Sequence, residues 1–62
     1  MNENEKVYTV GEVAEALRVT EYTVREKLRS GELRGFKITS HWRIPGSALK
    51  EFVEKGRSDD IE

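Results

Sequence analysis

Two helix-start signals, at Thr9 and Thr20, stand so close together that they dictate how the first half of the chain can fold. Thr9-Val10-Gly11-Glu12 has the S/T-x-x-E pattern of a capping box, in which the Thr9 hydroxyl caps a backbone N–H and Glu12 reaches back to the Thr9 N–H. Val10, Val13, Ala14 and Leu17 follow at helical spacing, which predicts a helix of about two turns. Arg18-Val19 leaves room only for a tight turn before Thr20, a second N-cap residue, with Glu21 placed against the positive end of the next helix dipole. Val24 and Leu28 mark the buried stripe of this second helix, and Gly31 is a natural terminator after Ser30. Helices joined by so few residues cannot lie flat side by side. They must cross steeply, as in a helix-turn-helix.

Beyond Gly31 the period changes. Phe36 and Ile38 alternate with Lys37, and Trp42 and Ile44 alternate with His41 and Arg43, which predicts a β-hairpin around Thr39-Ser40. Read by alternation alone, its apolar face is Phe36, Ile38, Trp42 and Ile44, and its polar face is Lys37, His41 and Arg43. Thr39-Ser40 lacks the Gly or Asn that a tight primed turn prefers. Pro45 ends the second strand, and Ser47 can cap a third helix in which Leu49, Phe52 and Val53 share a face, with Gly56 near its end. The expected fold is mainly α with a small β-hairpin. Its order is helix, turn, helix, two-stranded wing and closing helix. The expected organisation is a flexible N-terminus over 1–6, one domain over 7–55, and a disordered acidic tail over 56–62. The expected core runs from Tyr8 to Val53 and includes Val19, Phe36 and Ile38, with Trp42 and Phe52 as its most valuable side chains.

Composition narrows the chemistry. A chain of 62 residues, 35% hydrophobic and 37% charged, supports one small core and no deep substrate pocket. Without Cys and with a single His, it has no disulfide framework and no zinc-stapled fold. No apolar run approaches the roughly 18–20 residues needed to span a bilayer, and the acidic start Asn2-Glu3-Asn4-Glu5 is unlike a signal peptide. A cytoplasmic domain without membrane, metal, cofactor or small-molecule ligand is expected. Catalysis is not expected: His41 sits beside a solvated turn, the glycines form no phosphate loop, and Asp59-Asp60 reads as a solvated charge run. Net charge is −1, yet it is uneven. Residues 18–43 hold seven bases and three acids, between two acidic flanks. That asymmetry suits a nucleic-acid partner, although charge alone favours ordinary solvated side chains.

The second helix turns Tyr22, Arg25, Glu26 and Arg29 away from Val24 and Leu28. An α-helix fits the major groove of B-DNA, and Arg can donate two hydrogen bonds to a guanine edge. Thr20 and Thr23, with the free backbone N–H groups at the helix start, can hold a phosphate. The competing reading is internal ion pairing, with Glu26 bonded to Arg29 or Arg25. On the hairpin, Lys37, Thr39, Ser40, His41 and Arg43 can touch phosphates or lie in the minor groove. Trp42 reads as core.

The segments Tyr8–Leu17, Val19-Thr20, Thr23-Val24, Ser30-Gly31-Glu32-Leu33 and Trp42-Arg43-Ile44-Pro45, with Leu49 and Phe52-Val53, resemble the excisionase-type, MerR-like winged helix-turn-helix family over about residues 7–54. The resemblance implies double-stranded DNA as partner. It places Glu21, Tyr22, Thr23, Arg25, Glu26 and Arg29 at the major groove, and Lys37, Thr39, Ser40, His41 and Arg43 on the wing. It also implies an architectural role in DNA recombination beside a site-specific integrase, with cooperative head-to-tail copies along the DNA. A small MerR-like transcriptional regulator, or a protein-interaction adaptor that has lost DNA binding, are the alternatives. The family often carries Gly where this chain has Arg18, and Gly and Arg where it has Thr39-Ser40.

Overall fold

The computed structural model describes residues 6–60, with side chains described through residue 56. Six elements follow one another: β1 (Val7–Thr9), α1 (Val10–Leu17), α2 (Glu21–Ser30), β2 (Phe36–Ile38), β3 (His41–Pro45) and α3 (Gly46–Asp60). Both N-caps form. Thr9 Oγ1 accepts from the Glu12 amide at 3.1 Å while Glu12 Oε1 accepts from the Thr9 amide at 3.0 Å, the reciprocal bonding of a capping box. Thr20 Oγ1 accepts from the Thr23 amide at 3.1 Å. Between the helices Arg18 adopts φ 61°, ψ 45°, and the Val19 amide closes back onto the Ala14 carbonyl at 3.0 Å. That left-handed corner ends α1 and turns the chain into α2. It is held by a residue that bears a Cβ penalty there.

β1 is absent from the sequence-based expectation. Three residues flush against a helix cap show no readable alternation, and the strand exists only through its distant partner. Tyr8 pairs with Ile44 and Thr9 with Arg43, antiparallel, so β3 becomes the central strand of a sheet ordered β1-β3-β2. The Gly46 amide then donates to the Lys6 carbonyl at 2.7 Å, tying the start of α3 to the start of β1.

The wing corrects the face assignment made from alternation. β2 pairs with β3 as Ile38 with His41, Lys37 with Trp42 and Phe36 with Arg43, so the loop has two residues. Directly paired residues share a face. Phe36 and Ile38 therefore lie with Arg43 and His41 on the outer face, while Lys37 lies with Trp42 on the inner one. A loop one residue longer would have put Ile38 opposite Trp42. Thr39 and Ser40 sit at φ 50° and 66°, the two positive values a type I′ turn requires, although neither is Gly or Asn.

The core follows this register. Ile44, Val13, Leu33 and Val24 are the largest fully buried side chains, joined by Val10, Ala14, Leu28 and Ala48. Tyr8, Leu17, Trp42, Leu49 and Phe52 pack against them half-buried. Ala48 was not expected inside. Val19, Phe36 and Ile38 are exposed, contrary to expectation, Val19 because it stands on the corner and the other two because of the hairpin parity. The centre is thus Ile44 rather than Trp42. α3 begins at Gly46, one residue before the expected cap Ser47, and continues to Asp60, past the expected end at Gly56. A single Gly costs about 1 kcal/mol inside a helix and does not by itself end one. The rest of the expected flexible ends, residues 1–5 and 61–62, lies outside the described residues.

Two glycine-related positions give opposite expectations. Arg18→Gly removes the Cβ penalty of the left-handed corner and should raise stability by about 1 kcal/mol. At Gly35 an added Cβ would stand 2.7 Å from Leu28 Cδ2 and 2.9 Å from the Arg43 carbonyl oxygen, so Gly35→Ala should cost about 1–3 kcal/mol. Urea unfolding of both variants checks the pair.

Candidate nucleic-acid interface

Thr20 sets where α2 begins and so which of its side chains face outward. Besides capping the Thr23 amide, its hydroxyl donates to Thr23 Oγ1 at 3.0 Å, which places both threonine hydroxyls at the helix start. At about 100° per residue, Tyr22, Arg25, Glu26 and Arg29 fall on the arc away from the buried Val24 and Leu28. Tyr22 is 68% exposed, a large aromatic ring held in water.

The arginines of this arc are internally paired. Arg25 donates to Glu21 at 3.2 Å across one helical turn, and Arg29 donates to Glu26 at 2.7 Å. The sequence left Glu26 a choice of two arginines. Glu21 removes that choice by occupying Arg25. Glu21 has a second neighbour: its Oε2 lies 3.2 Å from where a Cβ on Gly11 would stand. The carboxylate therefore sits at the first turn of α1, where the helix dipole favours an anion. The missing side chain at Gly11 makes room for it. Glu21 thus links the two helices as well as lining the surface.

Pairing extends through the basic middle of the chain. Lys27 bonds Glu32 at 3.2 Å, and Arg34 reaches Glu51 of α3 at 3.0 Å. The Lys37 ammonium stands 5.3 Å from the centroid of the Trp42 ring. Arg43 donates to the Trp42 carbonyl at 2.9 Å, and the His41 ring nitrogen Nδ1 donates to the Thr39 carbonyl at 3.0 Å. Every base from Arg25 to Arg43 has a partner within the chain. These pairs lie at the surface, where each contributes about 0–1 kcal/mol, less than the 1–3 kcal/mol of a good bidentate contact to a base. They orient the side chains and can be exchanged for stronger acceptors.

Helix and wing meet. An open cleft of about 330 Å³ is lined from α2 by Glu21 and Arg25, from the wing by Ser40, His41, Trp42 and Arg43, and from the β1–α1 junction by Thr9, Val10 and Gly11. Of the residues singled out from sequence, Glu21, Arg25, Ser40, His41 and Arg43 converge here. Tyr22, Glu26 and Arg29 continue the same helix face outward, Thr20 and Thr23 stand at its start, and Thr39 stands at the wing tip. Lys37 is separated from Arg43 by the sheet itself. The β1–α1 contribution was missed, and the one local hint was Gly11, a poor helix former in a first turn. Among the described residues no group of side chains could hold a metal ion, and no helix is long and apolar enough to cross a membrane.

Two helices joined by a tight corner precede a two-stranded wing that shares a cleft with the second helix. The model of a helix-turn-helix domain family, one that includes excisionase-like proteins, matches residues 7–57. The chain belongs to this helix-turn-helix family. No curated protein and no solved structure matches it. Membership supports a DNA-binding role for the winged helix-turn-helix, with α2 in the position of the recognition helix.

The pairing on α2 generates a test. Glu26→Gln removes a carboxylate from the helix and releases Arg29. Duplex affinity, read by fluorescence anisotropy at low salt, should rise by about two- to fivefold, while stability falls by no more than about 0.5 kcal/mol.

Proposed function

We propose that this protein is an excisionase-like, sequence-specific DNA-binding protein that acts architecturally rather than catalytically. The observation that carries the reading is the shared cleft, in which the start of α2 and the outer face of the wing present Arg25, His41 and Arg43 together. α2 enters the major groove with Arg25 and Arg29 toward base edges and Tyr22 toward a phosphate or a thymine methyl. Thr20 and Thr23 hold a phosphate at the helix start, and Thr39, Ser40, His41 and Arg43 follow the backbone into the adjacent minor groove. Lys37, on the other face of the wing and on its edge strand β2, reaches a phosphate past that edge. The protein works in the cytoplasm, on nucleoid DNA.

A single module of this size buries about 600–1,000 Å² on DNA, which gives weak binding by itself. Adjacent head-to-tail copies, or contact with a site-specific integrase on neighbouring DNA, supply the remaining affinity through effective concentration. A second reading, an adaptor that has lost DNA binding, draws on the Glu21–Arg25 and Glu26–Arg29 pairs, which already neutralise the recognition helix.

Arg25→Ala and Arg29→Ala separate the two. Each should lose roughly 1–3 kcal/mol on a selected site, and less on random duplex, with unchanged circular dichroism. A double variant that binds as tightly as the parent across a salt series would favour the adaptor.

A further inference from the structure

The wing's outer face carries two apolar side chains that the described chain leaves about half exposed. Phe36 is 43% exposed and Ile38 53%, and the two-residue turn holds both beside Arg43 and His41. Arg43, His41 and Thr9 of this same face line the cleft with Glu21 and Arg25, and Phe36 and Ile38 stand directly across the strands from Arg43 and His41. The paired strand positions of the outer face hold Arg43 and His41 as their charged or titratable residues and no carboxylate. A polyanion is therefore admitted to this face. At the wing tip Thr39 and Ser40 offer only hydroxyls and a methyl, in a turn fixed by two positive φ angles. Ile38, immediately behind them, is the first large apolar group that an approaching groove meets.

We infer that Ile38 is an apolar wedge of the wing, seated in the minor groove against the deoxyribose walls and base step beside the major-groove site of α2, with Phe36 backing it. This rests on the DNA-binding reading and deepens it. Branched apolar side chains at such positions partly unstack a base step and bend the duplex, so they read its deformability rather than its hydrogen-bonding edges. His41, directly across the strand pair, and Arg43, across from Phe36, flank the wedge on the side of the phosphates. The chain thereby couples two kinds of recognition: Arg25 and Arg29 read edges, and Ile38 selects sequences that yield at the neighbouring step. Apolar contact releases no counterions, so its contribution is independent of salt.

The test uses the full chain and a duplex that the parent protein selects from a randomised library. Ile38→Ala should lower affinity about fivefold, the scale of partly burying an isoleucine side chain. The loss should be the same at every salt concentration, leaving the salt slope intact. The duplex bend, read by energy transfer between labelled ends, should decrease. Ile38→Leu should keep both affinity and bend. Val7→Ala, on the same sheet face but at the far end of the opposite edge strand, should change neither, and all three variants should melt with the parent because these side chains are exposed. If the parent binds and Ile38→Ala matches it in affinity and bend, the wedge is wrong while the DNA reading stands. Unchanged DNA binding with altered sedimentation of the free protein would likewise overturn it and assign the apolar pair to a protein contact. If the parent selects no duplex, the wedge and the DNA reading fall together.

Discussion

A loop of two residues between antiparallel strands leaves no freedom over which side chains share a face. With Ile38 opposite His41, every pair behind them is set: Lys37 with Trp42, Phe36 with Arg43. The central strand β3 then turns Ile44 and Trp42 to one face of the sheet and His41 and Arg43 to the other. Ile44 is fully buried and, through Tyr8, fixes β1 as the third strand. β1 in turn positions Thr9, whose capping box starts α1, and the left-handed Arg18 corner aims α2. The sheet register and the composition of its outer face follow from that one turn, while the caps and the Arg18 corner set the helices locally. That turn is strained, because a β-branched Thr at positive φ is disfavoured. Strain of this kind persists only where the surrounding pairing over-determines it, as the paired β2 and β3 strands do here.

The surface that results is basic in its count and restrained in its field. Glu21 and Glu26 hold the two arginines of the recognition helix in place, and Glu21 does so from a pocket left open by Gly11. Such exposed pairs contribute little, about 0–1 kcal/mol each. A helix-turn-helix domain with net charge −1 lacks the broad electrostatic attraction to any duplex that a strongly cationic one has.

Features carried by adjacent residues were legible in the sequence. The two N-caps, the short turn, the Gly31 terminator and the existence of a hairpin at Thr39-Ser40 all rest on local signals, and all are present in the structure. Features set by distant partners were not. β1 has no pattern of its own, Ala48 is too small to announce burial, and the Arg34–Glu51 pair joins residues 17 apart. The faces of β2 were misread because alternation gives two candidate faces without saying which meets the core, and loop parity decides that. The residues of the candidate interface separate in the same way. Arg25 and Arg29 follow from helical phase, whereas the exposed Ile38 and the Gly11–Glu21 contact appear only once the strands and helices are placed.

The central claim is that α2 and the outer face of the wing form one continuous DNA-binding surface. An amide chemical-shift titration of isotope-labelled protein with a duplex it has selected tests this most directly. The account predicts that amides from Glu21 to Arg29 and from Ile38 to Arg43 shift along one saturation curve while those of Lys50 to Glu54 on α3 stay in place. Shifts confined to α2, or centred on α3, would contradict it.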